Sequence, residues 1–445
     1  LNIKDSFEIR SFLKPGLIPH PKALLVNNTS PEMLLKSNEN YSHYQMIRKV
    51  VNKFNEWAPA IFMGYNSISF DEEFLRKSLF KSLFDPFFTT SNNNQRCDIL
   101  NIVRNSIIYF PEALQWEINE KGNPILKLEE LTKKNNLSHN AHDALGDVFA
   151  TREIAKILKY KASDLWETGV KNNKKYDVIN KVKKELLFCY NEFFYGAPYP
   201  LVLSYLCDHP YPTYLICFDL RNDPLIYFNM SKDDLKIEMK KSPKFLRTIK
   251  TNKNPIIFDY KNYIKFENYR DFDENLLIER AEILKQNSEF KEKIYFLIEE
   301  FNKLKEEETN LNQAQVPPEE RIYEKFLSNK DRQIIQRFHE IDNWNLKLNI
   351  SYEFEDSKLG YFGRRMIYEE VPESLPEDLL KEIHKKIAEQ VLSPYDEKWY
   401  TIPQARKDSD DLKVKYEDDN DNENLEKLEK FDLLIDKIEN KFEKY

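Results

Sequence analysis

The segment Ala141 to Asp147, AHDALGD, places a histidine five residues before an aspartate at the start of an amphipathic helix. Hydrolysis of a phosphodiester with two metal ions needs carboxylates that hold Mg²⁺ and a base that takes a proton from the attacking water. His142 suits the base, because an imidazole with an unperturbed pKa of about 6.5 is mostly neutral near physiological pH. Asp147 suits a metal ligand. Taken alone, the segment is equally consistent with a helix-capping histidine and a surface aspartate.

The segment Gly64 to Glu73, GYNSISFDEE, takes an apolar strand into a polar turn and then into a helix that opens with three carboxylates. Asp71 is the first of them and offers a second candidate ligand. By itself this pattern favours an ordinary explanation, since acidic residues in a first helical turn interact favourably with the helix dipole. The two segments together predict a metal-dependent site for phosphodiester hydrolysis.

The elements that must position these residues follow from hydrophobic periodicity. From about residue 7 to 160, short apolar runs such as 60–64 alternate with amphipathic helical patterns at 44–57 and 144–158. Alternation of this kind predicts an α/β layer structure. Residues 2–12 are predicted as a strand that is entered in the middle of a domain.

Downstream, the pattern changes to a β domain and then to helices. Four runs rich in β-branched and aromatic residues are predicted as strands: YPLVLSYLC, YLICFDL, LIYFNM and PIIFDY. Residues 274–308 are predicted as one helix, and the chain after 315–318 as mainly helical. The acidic stretch 417–423 is predicted as an exposed loop before a last helix at 425–442.

Composition limits the possible functions. The formal net charge of −8 argues against a protein coated in positive charge, so any nucleic-acid site must be a local basic channel. Neither GxxxxGK[ST] nor GxGxxG occurs, which argues against nucleotide-triphosphate and dinucleotide chemistry. The four cysteines lack CxxC spacing, and we expect buried free thiols. Without a long apolar stretch or a basic leader, we expect a cytoplasmic protein with no membrane contact.

A strand that ends in GYNxxxFD and a downstream HxAxxD resemble the DEDDh class of 3′→5′ exonucleases, which have an RNase H-like fold. The resemblance narrows to the bacterial exodeoxyribonuclease I family, because further segments match it in order: GYNSISFDEEFLRKSLF, SLFDPF, RCDILNIVR, PEALQW, LKLEELTKKN and NAHDALGDVFAT. A weaker likeness continues through TNKNPIIF and RIYEKFLSNKDR, over nearly the whole chain. It implies an α/β RNase H-like exonuclease domain at residues 1–162 that lacks its first strands, an SH3-like β domain with a helical extension at 163–312, and a helical C-terminal domain at 313–445.

The resemblance implies 3′→5′ hydrolysis of single-stranded DNA with two Mg²⁺ ions, releasing 5′-mononucleotides, in DNA repair and recombination. His142 matches the general base, Asp147 a carboxylate that binds metal directly, and Asp71 a carboxylate that supports the metal site. The family's first motif, an Asp-x-Glu on the opening strand, supplies the other ligands. It has no counterpart here, since Asp5 and Glu8 have the wrong spacing. We therefore expect the sequence to begin inside the catalytic domain and to have little nuclease activity without that motif.

Single-stranded DNA is held by basic grooves along its phosphates and by aromatic faces that stack on its bases. The predicted substrate-binding residues are Arg76 and Lys127 as phosphate contacts, and Tyr65, Asn66, Phe70 and Trp116 around the terminal nucleotide. Each basic residue is equally consistent with an ordinary exposed side chain, and for Phe70 packing in the core is favoured. Arg247, Lys250 and Lys253 are predicted to form a basic patch that extends the groove.

Other functions remain open at this point. Another DEDDh exonuclease that acts on RNA fits the motifs, but such chains are compact and lack the β and helical additions. A non-catalytic single-strand-binding fragment fits the incomplete set of acids, whereas a purely structural helical protein leaves both motifs unexplained. The resemblance also implies a monomer that binds single-stranded DNA and is recruited by a single-stranded DNA-binding protein.

Overall fold

A computed structural model of the chain describes residues 1–37, 40–138, 144–172, 174–312 and 316–445, with only the backbone described at 309–312. The chain packs into two compact units. Unit 1 consists of Leu1, Pro59–Phe74 and Phe87–Val316, and unit 2 consists of Asn2–Ala58, Leu75–Pro86 and Pro317–Tyr445. These units divide the chain along other lines than the three predicted domains, whose boundaries stay a prediction.

Regular secondary structure takes up most of the described chain. The helices are, in chain order, α1 (Pro21–Val26), α2 (His43–Trp57), α3 (Asp71–Lys81), α4 (Ile99–Tyr109), α5 (Leu128–Lys134), α6 (Ala144–Lys161), α7 (Ser163–Lys171), α8 (Lys175–Lys184), α9 (Leu225–Phe228), α10 (Lys232–Glu238), α11 (Glu274–Gln286), α12 (Ser288–Asn312), α13 (Asn329–Glu340), α14 (Trp344–Ser351), α15 (Ser357–Glu370), α16 (Glu377–Val391), α17 (Ile402–Asp418) and α18 (Asn422–Phe442). The strands are β1 (Ile61–Gly64), β2 (Gln95–Asp98), β3 (Glu117–Ile118), β4 (Pro124–Ile125), β5 (Phe188–Phe194), β6 (Ala197–Asp208), β7 (Tyr214–Asp219), β8 (Leu246–Lys250) and β9 (Ile257–Asp259). Among the described residues, no helix combines the length and apolar character that crossing a membrane requires.

Strands β1 and β2 form a parallel pair in unit 1, and Gly64 at the end of β1 lies opposite Asp98 at the end of β2. Helices α4, α6 and α7 pack together beside this pair. Their shared core includes Cys97, Ile102, Ile154 and Leu165. The predicted helix at 144–158 is confirmed as α6, and so is the α/β character of this region.

Strands β5 to β9 form an antiparallel sheet in the order β8-β7-β6-β5-β9. Successive side chains of β5 enter different cores, as strand geometry requires. Phe188 packs with Val178 and Val182 of α8, whereas Cys189 shares a core with Tyr109 of α4 and with residues of α11 and α12. Both faces of the sheet are therefore covered, and the predicted small β domain is confirmed.

The prediction of a strand for LIYFNM is wrong, because Leu225–Phe228 is the helix α9. Pro224 precedes it in a helical conformation, and the side chain of Asp223 accepts a hydrogen bond from the backbone N of Leu225 (2.9 Å). An apolar run fits a buried strand and a buried helix equally well, so the flanking residues decide. The sheet contains β5 and β8, which were not among the predicted strands.

The prediction of a strand at residues 2–12 is also wrong. The described residues form an isolated parallel bridge there, between Ser11 and Tyr41. The backbone N of Phe12 donates to the O of Tyr41 (2.9 Å), and the N of Tyr41 donates to the O of Arg10 (3.2 Å). A strand needs a paired backbone segment along its length. Within the described part of the chain, residues 2–12 are paired in this way only at Ser11.

The predicted helix at 274–308 forms two helices, α11 and α12, that are separated at Asn287. The Oδ1 of Asn287 accepts a hydrogen bond from the backbone N of Phe290 (2.9 Å) and so caps the second helix.

The predicted loop at 417–423 is mostly helical, since α17 ends at Asp418 and α18 begins at Asn422. The predicted last helix is confirmed as α18.

Unit 2 packs its helices around two cores. One core joins α1 with α16, α17 and α18 through residues that include Leu24, Ile387, Ile402 and Phe431. The other joins α2 with α13 and α15 through Tyr44, Phe338 and Phe362. The predicted helical character of the C-terminal part of the chain is therefore confirmed, and the predicted helix at 44–57 is confirmed as α2.

The four cysteines are free and buried, as predicted. Burial raises the pKa of each thiol: Cys97, Cys189, Cys207 and Cys217. Since the thiolate is the reactive form, these side chains behave as small apolar residues of the core.

A histidine in unit 2 is held neutral by its surroundings. The Nε2 of His339 lies 2.8 Å from the backbone O of Leu83, which can only accept, so Nε2 carries the proton. The Nδ1 then accepts from the hydroxyl of Tyr44 (3.0 Å). Burial lowers the pKa of His339 to about 4 and that of His43, also in unit 2, to about 3.

We predict that unit 2 loses stability as the pH falls from about 6.5 to about 4. An unfolded histidine binds a proton below its ordinary pKa of about 6.5, whereas folded His339 stays neutral down to about pH 4. Each such histidine removes up to about 1.4 kcal/mol of unfolding free energy per pH unit in this range. Thermal unfolding curves between these pH values, for wild type and His339→Gln, are the measurement. The variant should depend less on pH, and parallel curves would contradict the assignment.

Candidate functional site

A buried carboxylate fixes the turn that follows strand β1. Asp98 is 3% exposed and accepts hydrogen bonds from three backbone N–H groups, those of Asn66 (2.9 Å), Ile68 (3.1 Å) and Leu100 (3.1 Å). Burial raises the pKa of Asp98, and these donors oppose the rise. Two of the donors belong to the turn and the third begins α4, so one side chain holds both elements.

The turn itself has little conformational freedom. Asn66 has a φ of 60°, in the left-handed region that asparagine tolerates better than most residues. A Cβ at Gly64 would lie 2.6 Å from the Cβ of Ser67, which no larger residue could accept without moving the turn. Because the turn leads directly into α3, these constraints set the position at which Asp71 begins that helix.

The three carboxylates at the start of α3 differ in burial: Glu72 is buried, Glu73 is partly buried and Asp71 is exposed. Glu72 is 6% exposed and accepts from the hydroxyl of Thr89 (2.9 Å) and from the Nη1 of Arg96 (3.2 Å). The Nη2 of Arg96 also donates to the backbone O of Asn252 (3.1 Å). Glu72 therefore anchors the first turn of α3 within unit 1, whereas Asp71 is exposed.

Asp71 and Asp147 begin different helices and interact through their charges. Asp147 lies in the first turn of α6 and is exposed. The pKa of Asp71 is raised, first by partial burial and then by the charges of Glu72 and Asp147. Mutual repulsion of this kind is relieved by a bound cation, and carboxylate oxygens are the ligands that Mg²⁺ prefers. These two residues therefore fit part of a site for a divalent metal ion, and their role as ligands stays a prediction.

The third predicted catalytic residue, His142, lies outside the described residues. It falls within residues 139–143, which the structure does not describe. Within the described ranges, no three His, Cys, Asp or Glu side chains form a group that could hold a metal ion. Asp5 is engaged elsewhere, with Lys53 (3.3 Å) and the indole N–H of Trp57 (3.0 Å), in agreement with its exclusion as a ligand.

The prediction that Phe70 packs in the core is wrong. Phe70 is 58% exposed and Phe74 is 62% exposed, with their ring centroids 4.9 Å apart. Phe70 directly precedes α3 and Phe74 follows four residues later, so both rings share one solvent-facing side of the helix start. The pair forms an aromatic surface next to Asp71, which suits the predicted role of Phe70 in stacking.

Two other predicted aromatic residues pack against the core of unit 1 that α4, α6 and α7 share. The hydroxyl of Tyr65 donates to the backbone O of Leu126, and burial raises the pKa of Tyr65. Tyr65 and Trp116 are both partly buried and contact the same core cluster of unit 1. Their placement suits support of the site's walls, and their part in substrate binding stays a prediction.

The two predicted phosphate contacts have different surroundings. Arg76 is 9% exposed, and its Nη1 lies 3.4 Å from the hydroxyl of Tyr323 in unit 2. Lys127 is exposed and immediately precedes α5. The surroundings of Lys127 are those expected of a phosphate contact, whereas Arg76 has a neighbour within the protein. Both roles stay predictions.

A cleft of about 450 Å³ lies within unit 1, between the turn at 66–69, helix α4, strand β5 and the loop at 250–256. Asn66 lies at its edge together with Asp98. Lys250 and Lys253 line it, and the Nζ of Lys253 donates to the backbone O of Ile68 (3.3 Å). The loop that follows β8 is thus connected directly to the turn between β1 and α3.

Arg247 does not join this basic surface as predicted. It is 7% exposed, and its guanidinium lies 3.1 Å from Glu192 and 3.7 Å from Asp219. Two carboxylates from distant parts of the chain therefore neutralise it. Lys250 and Lys253 remain as the basic residues of the predicted patch that line the cleft.

The residues that sequence reasoning missed are those that assemble the site. Asn254 has a φ of 51° and is 3% exposed. Its Oδ1 accepts from the backbone N of Asp98 (3.0 Å), and its Nδ2 donates to the O of Gly169 (3.0 Å) and of Asn172 (3.2 Å). Asp98 could have been found, because an aspartate directly before the apolar helical run ILNIVR is an N-cap signal.

We predict that Asp98→Ala lowers the free energy of unfolding by about 3 kcal/mol, since it leaves three backbone donors without their acceptor. Asp98→Asn retains one carbonyl oxygen and should cost less. The measurement is urea denaturation, with Asp164→Ala in the exposed first turn of α7 as the control. Equal stability of the Asp98→Ala and control variants would contradict the role of Asp98.

No family model matches the chain. Among curated proteins, it is 31% identical over 361 residues to an exodeoxyribonuclease I of Buchnera aphidicola from Schizaphis graminum, covering 78% of this chain and 72% of the relative. It is 30% identical over 374 residues to the exodeoxyribonuclease I of Buchnera aphidicola from Acyrthosiphon pisum, covering 81% and 87%.

Solved structures of exonuclease I share the fold. The chain matches a moderately thermophilic exonuclease I from Methylocaldum szegediense with a TM-score of 0.80 at 21% identity, over 98% of this chain and 92% of that one. It matches E. coli exonuclease I in complex with a dA16 oligonucleotide with a TM-score of 0.77 at 20% identity, over 98% and 93%. The predicted fold class is thereby confirmed: an RNase H-like exonuclease domain followed by an SH3-like β domain and a helical domain. Together with the identity to the Buchnera proteins, these observations mean that the chain belongs to the exodeoxyribonuclease I family.

Proposed function

We propose that the protein hydrolyses single-stranded DNA from its 3′ end with Mg²⁺ and releases 5′-mononucleotides, in DNA repair and recombination. The observation that carries this proposal is the chain's membership of the exodeoxyribonuclease I family. Asp71 and Asp147, which lie in the first turns of two helices, add a candidate metal site to it. The complex of E. coli exonuclease I with a dA16 oligonucleotide supports single-stranded DNA as the substrate.

Asp71 and Asp147 would hold part of a site for two Mg²⁺ ions, whose chemistry is to neutralise charge on phosphate oxygens and to activate water. His142 would accept a proton from the attacking water at a ring nitrogen. Phe70 and Phe74 offer an exposed aromatic surface beside Asp71, where the terminal base can stack. Tyr65 and Trp116 would support this pocket from the core side.

The cleft in unit 1 would continue the path of the strand. Lys250 and Lys253 line it, and they provide the local positive charge that an otherwise acidic protein needs to attract phosphates. Lys127 would extend this charge near Tyr65, because the hydroxyl of Tyr65 is bound to the backbone of the preceding residue, Leu126.

We further propose that the protein is a monomer and works in the cytoplasm, where single strands of the chromosome arise. Another solved structure that this chain matches contains SSB with exonuclease I. On that basis we propose that a single-stranded DNA-binding protein recruits this enzyme.

A non-catalytic single-strand-binding protein is the second candidate. The observations that favour it are the exposed aromatic pair of Phe70 and Phe74 and the cleft lined by Lys250 and Lys253, which would bind a strand whether or not it is cut. The two candidates differ in one assay, since strand binding in chelator is common to both but shortening of a 5′-labelled strand with Mg²⁺ is specific to the nuclease. Binding without shortening at any Mg²⁺ concentration, in a protein that carries the family's Asp-x-Glu strand, would contradict the nuclease proposal.

We predict that Asp147→Asn raises the Mg²⁺ concentration needed for half-maximal hydrolysis by about 10- to 100-fold, because it removes a charged oxygen ligand. Strand binding in chelator should stay unchanged. Asp164→Asn makes the same substitution in the first turn of another helix, α7, and serves as the control. An unaltered Mg²⁺ requirement in Asp147→Asn would count against direct ligation.

We predict that Lys250→Ala weakens binding of all single strands alike, whatever their bases, because an ammonium contacts phosphate as a point charge. The slope of log K against log salt should become shallower by about 0.7, the value for one lost phosphate contact on a single strand. Fluorescence anisotropy in chelator at several salt concentrations measures both quantities. Lys240→Ala changes an exposed lysine of the same unit, in the turn after α10 and outside the cleft, and is the control. Identical slopes for the two variants would remove Lys250 from the strand path.

A further inference from the structure

The cleft in unit 1 contains a buried amide that the fold does not use. Asn191 lies on β5, is 8% exposed and lines the cleft. Neither its Oδ1 nor its Nδ2 has a hydrogen-bond partner among the described residues. An unpaired buried amide destabilises a protein, and a leucine of nearly the same shape would avoid that penalty. Folding alone therefore gives no reason for asparagine at this position.

The strand geometry directs this amide toward helix α4. Asn191 is two residues beyond Cys189, so both side chains are on the same face of β5. Cys189 shares its core with Tyr109 of α4, and Asn105 lies one helical turn before Tyr109 on the same side. The two asparagines thus continue the contact between α4 and β5 into the cleft, where both are lining residues.

Asn105 adds a second unused group of known orientation. Its Nδ2 donates to the backbone O of Asn101 (2.8 Å), which identifies the other amide atom as the oxygen. That Oδ1 is buried and has no partner among the described residues. The cleft therefore presents one donor and one acceptor from Asn191 and a further acceptor from Asn105.

The cleft also has the groups that bind an unstacked base and its phosphate. The guanidinium of Arg104 lies 5.3 Å from the ring centroid of Phe193, and both residues line the cleft. Guanidinium planes and aromatic rings are the surfaces on which proteins stack single-stranded bases. Lys250 also lines the cleft and is exposed. The volume of the cleft, about 450 Å³, is in the range of ligand pockets.

We propose that this cleft binds one base of the single strand and prefers a base with an exocyclic amino group over thymine, a step that rests on the proposed function. The amide of Asn191 would pair with a donor and an acceptor on the base edge, as asparagine does with adenine. The Oδ1 of Asn105 would accept the second hydrogen of the amino group. Thymine has a single N–H on its pairing edge and would leave one buried acceptor unpaired.

The test uses the full chain in chelator, so that strands are bound but not cut. The probes are dT oligonucleotides of about 12 nucleotides in which a single dA, dC or dG is moved stepwise from the 3′ end, with affinity measured by fluorescence anisotropy. At one position, wild type should bind the amino-bearing base about tenfold more tightly than dT, the effect of one good amide contact.

Asn191→Leu should bring that position to the level of dT, because the amino group reaches the Oδ1 of Asn105 only while the amide of Asn191 holds the base edge. The thermal unfolding temperature of this variant should stay equal to or above that of wild type, because the unpaired amide is gone. Asn229→Leu, at an exposed residue of the same unit, should keep the preference. Asn191→Ala is the second variant and should also abolish the preference, which keeps the proposal testable if leucine does not fit the site. A preference that survives in both Asn191 variants would overturn the assignment.

The outcomes separate the two proposals. Wild-type binding that is equal for all bases at all positions would overturn the base site and leave the nuclease proposal standing. No strand binding by wild type would overturn both. Displacement of the strand by free dAMP from wild type but not from Asn191→Leu, at a concentration comparable to the strand's own dissociation constant, would mean that the cleft is a mononucleotide site, which would also overturn the proposal.

Discussion

The carboxylate of Asp98 is the interaction on which the nuclease part of the molecule depends. Parallel strands end at the same edge of a sheet, and Asp98 at the end of β2 lies opposite Gly64 at the end of β1. One side chain therefore reaches the turn after β1 and the first residues of α4, while its backbone N–H is held by Asn254. Burial disfavours the charged form of this carboxylate, but the three backbone N–H groups that donate to it offset that cost.

A second chain of contacts runs from the start of α3 to the β domain. Glu72 is buried against Arg96, and Arg96 also reaches the backbone of Asn252. Burial of an ion pair contributes little net stability, because removing two charges from water offsets their attraction. The ion pair instead fixes a position: it holds the first turn of α3, and Asp71 with it, near the loop that carries Lys250 and Lys253. Adjacent carboxylates of one acidic run thus have unrelated tasks.

The parts of this arrangement that local sequence could predict are those with a local cause. Helices α2 and α6 follow from their own periodicity, strands β6 and β7 from their composition, and Asp71 and Asp147 from motif spacing. The parts it could not predict depend on distant partners. Local sequence predicts Arg247 as a free cation, because its partners Glu192 and Asp219 lie far away in the chain. Local sequence also predicts a strand at residues 2–12, whereas pairing along the described part of that segment is limited to one bridge. Phe70 is exposed because of its place relative to the helix start, which hydrophobicity does not report.

The state of the cysteines has a practical consequence. All four thiols are buried, and their raised pKa keeps them protonated at neutral pH. Alkylating reagents and oxidants attack thiolates that solvent can reach. A cysteine introduced at an exposed position, such as the one now held by Tyr195 at the tip between β5 and β6, would therefore react far ahead of the native thiols. Fluorophores or spin labels could be attached there in the native background, without first removing any residue of the core.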